Sequence, residues 1–459
     1  MIEKFKSLFG NDWSKVSMIG TWIFLVAVVF KFSPWQNAEK SGKLINWDVV
    51  SYYAYLPATF EFHDLTLQFV DNDSIDYAGE SKFWPSEAPN GGKVIKTTMG
   101  MSLLYAPFYA AASVHSFFGG VQMNSFSVLF EFYLCLSNLA FILFGLFFLR
   151  KVLNYYFSNS ITAVVIPVLF VATNLFYYIT VEPLHSHAYS FSLIAAFLWQ
   201  TIQWHQMNTL KRSIILGLLT GLIVLVRPVN ILVVLFFVMY EVTDFSTLKQ
   251  KLKRFVADYK SILVISGGAF LVWVPQLIYW KIITGSFFFN SYIGEQFYFL
   301  NPHVIDGLFS YRKGWLLYTP VMIFAIIGLY FLPRKIKLGA IVLTVLLIYV
   351  VFSWWNWWYG GSFGARPMID FYAFFAIAIA AFVNGVSKYV RLTSIAVIGL
   401  FTLLNVFQTL QVKSSAIHWD SMTKEAYWHN FMTLNPLPGL DNKFKSPNDD
   451  KAKRGEDEY

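Results

Sequence analysis

The chain has 459 residues, 56% hydrophobic and only 14% charged, where a soluble domain carries roughly 25% charged residues. With a mean hydropathy of +0.50, it lacks the polar residues needed to clothe a water-soluble protein of this size, so much of its surface must face lipid. The net charge of +8 does not point to nucleic acid, because Lys and Arg fall in short clusters between apolar runs, the pattern that sets topology in a bilayer.

In chain order, apolar runs predict spans near 16–33, 126–149, 161–181, 186–205, 213–226, 229–243, 261–283, 318–333, 338–355, 370–387 and 392–411. The expected fold is all-α: a polytopic transmembrane bundle with about eleven spans, each needing roughly 20 apolar residues, and an extracytoplasmic loop carrying amphipathic juxtamembrane helices. The first run follows Lys4, Lys6 and Lys15 and ends at Ser33-Pro34-Trp35-Gln36, a poor cleavage site, so it reads as an uncleaved anchor. With the N-terminus cytoplasmic, Arg150 with Lys151, Lys211 with Arg212, the 249–260 cluster, Arg334 with Lys335 and Lys337, and Lys388 with Arg391 all fall inside. This arrangement requires the Pro107-interrupted run 98–118 to lie at the interface or re-enter. The expected organisation is a membrane domain over 1–411, including a first outer loop region 34–125, and a polar outer tail over 412–459, disordered after Leu440.

The unusual chemistry falls in the segments this topology puts outside. Asp48 follows Asn46-Trp47 just past the first span. On a helix it shares a face with Tyr52 and Tyr55, as a carboxylate tuned for general-base work or simply as a helix cap. Lys96, with Lys93, Thr97 and Thr98, precedes a helix and suits an anion site or an interface anchor. Val181-Glu182-Pro183-Leu184-His185-Ser186-His187 brings a carboxylate and two imidazoles into one turn. The spacing of His185 and His187 is wrong for a shared metal on one helix, which leaves substrate binding or a plain polar turn.

Arg227-Pro228 sits between two short apolar runs, suited to phosphate or to an internal ion pair. Tyr311-Arg312-Lys313-Gly314 and Tyr359-Gly360-Gly361-Ser362-Phe363-Gly364-Ala365-Arg366 occupy the last outer segments. Trp358, Tyr359 and the neighbouring tryptophans offer flat faces for sugar rings or headgroups, or form an interfacial belt. No P-loop, dinucleotide fingerprint, nucleophile elbow or zincin motif occurs.

Over roughly 16–390 this pattern resembles the GT-C superfamily of integral membrane glycosyltransferases, of the protein mannosyltransferase and aminoarabinose transferase type. The resemblance is carried by Asp48 after the first span, Lys96 before the next helix, Glu182 in a second turn, the Gly217 and Gly221 span ending in Arg227-Pro228, and the 310–320 and 360–366 runs. Many members have two adjacent acidic residues where this chain has Asp48-Val49. The resemblance implies an inverting transfer of a sugar from a polyprenyl-phosphate carrier to an acceptor hydroxyl. In that reading Asp48 is the base and Glu182 is a second catalytic carboxylate. Lys96, Arg227, Arg312 and Arg366 are on the donor phosphate, and Tyr52, Tyr53, His185, His187, Trp358 and Tyr359 line the substrate. The implied partners are the lipid-linked donor, membrane lipids and an acceptor glycan, lipid or protein. No cofactor and no metal ligand are expected, with a divalent metal left open. The expected place is a bacterial inner membrane with the site facing outward. A transporter or flippase of an anionic lipid or saccharide, and a non-catalytic scaffold, are the alternatives. The first expects polar groups along a path through the midplane.

Overall fold

A computed structural model describes residues 12–36, 44–71, 85–120 and 122–457. Lys4 and Lys6 lie outside them, as does part of the 34–125 region expected to form the first outer loop. Among the described residues the regular elements are helices, apart from a small antiparallel hairpin pairing Ser86–Glu87 with Lys93–Val94.

Among the described residues five helices, not eleven, are long and apolar enough to cross a membrane: Trp13–Gln36, Val128–Tyr156, Tyr259–Thr284, Arg366–Gly385 and Lys388–Lys413. The other predicted runs are helical but interrupted, short or too polar. The 161–181 run breaks between Asn159–Val171 and Leu175–Thr180, and the 229–243 run begins as a 3-10 segment, Pro228–Val233. The 318–333 run begins with the short turn Trp315–Tyr318, breaks at Pro320, and resumes as Met322–Gly328. Leu210–Val226 has only 17 residues, and Arg334–Val351 opens on three cations. Hydropathy reports where a chain avoids water, whereas proline and local hydrogen bonding decide whether its helix is continuous. The run 98–118 forms one helix, Gly100–Phe118, which runs through Pro107.

Arg366–Gly385 is almost wholly enclosed, while Tyr259–Thr284 and Lys388–Lys413 leave most of their apolar side chains exposed or only half-buried. A central helix within lipid-type outer faces is what a membrane solvent permits. Two close approaches align the site. A Cβ at Gly217 or Gly221 would run into the Ile265 or Ala269 carbonyl, so these glycines let Leu210–Val226 touch the backbone of Tyr259–Thr284. Gly100 abuts Leu225 and Val226, and Thr98 Oγ1 donates to the Leu225 carbonyl at 2.6 Å. The start of one helix is thereby fixed beside Arg227 at the end of another.

The polar tail differs from its expected disorder. Asp441–Lys443 and Asp449–Lys453 are short helices. Ala452 is buried against Trp355, Trp357 and Trp358, and Tyr298 donates to the Lys453 carbonyl. Composition predicts disorder for a segment that must stand alone, but here a tryptophan surface supplied by another part of the chain receives it.

Candidate active site

Four segments distant in sequence meet at one end of the bundle. Asp48 lies in the first turn of Trp47–Tyr53 and caps nothing, since Asn46 holds the cap position without a side-chain bond. Its carboxylate instead accepts from Arg366 Nη2 at 2.7 Å. Arg366 Nη1 reaches His185 Nδ1 at 3.2 Å, His185 Nε2 lies 3.0 Å from Glu182 Oε2, and Glu182 Oε1 accepts from Tyr177 Oη at 2.9 Å. A guanidinium has donors only, so His185 Nδ1 must be the acceptor and Nε2–H the donor to Glu182. That assigns the imidazole one neutral tautomer.

A second array lies deeper. His187 Nδ1 is 2.8 Å from Asp370 Oδ1, and Arg227 Nε is 3.2 Å from Asp370 Oδ2. Asn230 Nδ2 donates to Asp370 at 2.9 Å and to Ser190 at 3.1 Å. Asn230 thus ties Asp370 to the helix that carries Ser190. Arg227 Nη1 also lies 3.4 Å from His187 Nε2. The two imidazoles stack with centroids 6.3 Å apart and 14° between planes. Helical spacing would turn them apart, but His185 is extended and precedes the helix that begins at Ser186. Each ring therefore has its own carboxylate, and neither is placed as one half of a shared ligand pair.

The arrays are graded in exposure. Asp370 and His187 are sealed, Arg227 and Arg366 are mostly covered, and Asp48 and Glu182 remain 40% and 37% exposed. Protein surrounds Asp48 densely enough to desolvate it, yet the carboxylate stays accessible, which is the mark of a cleft wall. Burial pushes the Asp48 carboxyl up, and the charge and hydrogen bond of Arg366 with the charge of Arg227 pull it down, leaving it below the usual value. Glu182 is also lowered: burial raises it, and the His185 and Tyr177 hydrogen bonds with the Arg366 charge bring it down. Both acids are held as carboxylates. Tyr52 is shifted up by burial and by the Asp48 charge.

Asp48, Glu182, His185, His187, Arg227, Arg366 and Tyr52 thus share one site. Tyr359 borders it beside Arg227 and Arg366, its hydroxyl turned to the Val351 carbonyl at 2.7 Å. Lys96 pairs with Glu295 and lies over the Tyr292 ring, itself a neighbour of Asp48. A cleft of about 320 Å³ opens at that pair. Arg312 lies over Trp358 and donates to the tail carbonyls of Asp420 and Lys445 at 3.3 and 3.1 Å, so both side chains serve the tail. Tyr53 donates to the Ser125 carbonyl at 2.7 Å and packs on Tyr105, Tyr109 and Phe126, away from the cluster.

Asp370 and Asn230 do not stand out in the sequence, although a lone carboxylate opening an apolar run is itself a signal. Among the described residues no group of three or more His, Cys, Asp or Glu is placed to hold a metal ion.

No family model and no curated protein matches the sequence. Among solved structures, the chain is similar to the crystal structure of the Archaeoglobus fulgidus oligosaccharyltransferase in the apo form, with 12% identity and a TM-score of 0.49. The match covers 96% of this chain and 62% of that one. The chain therefore spans less than two thirds of that protein's length, and a likeness this distant says nothing of the chemistry at the site.

Proposed function

We propose that the protein is an inverting glycosyltransferase that moves a sugar from a polyprenyl-phosphate carrier to an acceptor hydroxyl on the extracytoplasmic face of a bacterial inner membrane. The observation that carries this reading is the accessible Asp48 carboxylate, 2.7 Å from Arg366, in a cleft at the end of an apolar helical bundle. Such a cleft suits a donor whose lipid stays in the bilayer while its phosphate and sugar enter the protein.

Asp48 takes the proton of the acceptor hydroxyl. The oxygen attacks the anomeric carbon, and the carbon–oxygen bond to the phosphate breaks with its electrons passing to the lipid phosphate. Before the donor arrives, Arg366 neutralises Asp48 and weakens it as a base. A phosphate drawn to Arg366 shares that charge and restores base strength to Asp48, so donor binding arms the site. Arg366 and Arg227 meet the charge of the leaving phosphate, a fixed-dipole role in a cleft with little water. His185 and Glu182 orient Arg366 and the acceptor. No cofactor takes part in these steps.

The test is turnover of radiolabelled polyprenyl-phosphate sugars by purified protein with membrane extract as acceptor source. Wild type should release label from the lipid, and Asp48→Asn should lose about 10²- to 10⁴-fold, the usual worth of a general base. Equal turnover by both would move the base to Glu182. No turnover with any donor, together with movement of labelled lipid across proteoliposomes, would replace the enzyme by a transporter.

A further inference from the structure

Lys313 is 2% exposed. Its ammonium donates to two main-chain carbonyls from segments far apart in sequence, Ser362 and Trp419. A buried ammonium is costly unless its protons are taken up, so the geometry is selective: it is satisfied only while the tail turn lies against the glycine-rich loop. Other contacts join the same two segments. Ser362 N–H donates to the Trp419 carbonyl at 3.0 Å, and the Trp419 ring covers Gly361, where a Cβ would come within 3.1 Å of it. The tail turn is shaped by His418 Nδ1, which accepts from the Asp420 and Ser421 N–H groups at 3.1 and 2.9 Å.

The loop that ends in Arg366 is intrinsically soft. Gly360 and Gly364 sit at φ +58° and +62°, and glycine leaves the backbone with more conformations to lose than any other residue. Its inner side is held by Tyr178 Oη, accepting from Phe363 N–H at 3.0 Å, and by Asn174 Nδ2, donating to the Phe363 carbonyl at 3.0 Å. Its outer side has Lys313 and the tail. A guanidinium can be pre-aimed only if both sides of such a loop are fixed.

We infer that Lys313 is a positioning residue: it clamps the C-terminal turn 418–421 onto the glycine-rich loop and thereby aims Arg366 at Asp48 and the donor phosphate. The part of this that concerns the donor rests on the glycosyltransferase reading; the clamp does not. Groups facing Lys313 are Asp420, Arg312 and His418 on the outer side and Arg366 and Glu182 on the site side.

The experiment uses full-length protein. Cys135 is the chain's single cysteine and is buried, so Ser362→Cys supplies one reporter thiol. Labelling of that thiol by a maleimide should be slow in the Ser362→Cys parent and about tenfold faster once Lys313→Met is added, as local opening exposes it. Unchanged labelling overturns the clamp. Trp419→Ala, which removes a ring that is 57% exposed, should also speed labelling and keeps the test decisive if Lys313→Met fails to fold; unchanged labelling in it likewise counts against the clamp.

The catalytic consequence is read by a double-mutant cycle in turnover. Lys313→Met should lower kcat by about a hundredfold, the scale of a misplaced catalytic group, and should add nothing further in an Arg366→Ala background. Additive losses would make Lys313 merely structural and overturn the positioning role. If wild type turns over no lipid-linked sugar, the functional reading fails, and the labelling result still decides the clamp.

Discussion

Arg366 and Asp48 lie 318 positions apart in the chain and 2.7 Å apart in space, and the same guanidinium reaches His185 at 3.2 Å. One planar fork therefore joins the carboxylate that follows the first long helix to the acidic turn at 182–187. Lysine is a point charge and cannot span both partners. Arg366→Lys should fold normally and lose about 10²- to 10³-fold in turnover, as when one oxyanion donor is removed. Near-normal turnover by Arg366→Lys would show that charge alone suffices there.

The pH dependence follows from the lowered carboxyls of Asp48 and Glu182. Between the folded value and the higher unfolded value, the unfolded chain binds more protons, so stability rises with pH in that window. The contribution is complete above the ordinary carboxylate pKa of about 4 and is lost as pH falls through the lowered folded values. The free-enzyme rate constant kcat/KM and thermal stability should therefore be flat, as far as these two groups are concerned, from neutral pH down to the carboxylate range. An acidic limb near pH 6 in kcat/KM, which reports the donor-free enzyme, would assign the base to some other group.

Asp370 and Asp48 should respond differently to the same change. Asp370 is sealed and serves Arg227, His187 and Asn230 together. Asp370→Asn leaves a covered guanidinium without its counter-charge and should cost about 3–5 kcal/mol, read as a lower unfolding temperature in detergent. Asp48 is on the open wall, where solvent screens the pair with Arg366, so Asp48→Asn should lower the unfolding temperature by much less, equivalent to about 1 kcal/mol or under. Equal losses from both would mean that the cleft is closed.

Helix packing offers a test away from the site. Gly221 faces the Ala269 carbonyl at a distance that admits no Cβ. Gly221→Leu should force Leu210–Val226 off Tyr259–Thr284 and cost about 1–3 kcal/mol, the range for overpacking a close contact. It should also lower turnover, because Arg227 follows directly at the end of that helix. Unchanged thermal stability would show that the two helices do not meet there.

The helical, membrane-type character of the chain is legible in its residues alone, because apolar content and the spacing of charges are local properties that solvent makes costly or cheap. Asp48, Glu182, His185, His187, Arg227 and Arg366 stand out for the same reason, since each is expensive in such surroundings. Their pairing is another matter. Arg227 reads as a phosphate site with an internal ion pair as the alternative, and folding alone brings it to Asp370. His185 and His187 look misdirected by helical spacing, until the helix start at Ser186 places one ring before it. The number of continuous long helices, the docking of the 441–453 tail on Trp355 and Trp358, and the burial of Lys313 are likewise settled in three dimensions. In each case the stabilising partner lies far away in the chain, and no local pattern records a contact whose other half is elsewhere.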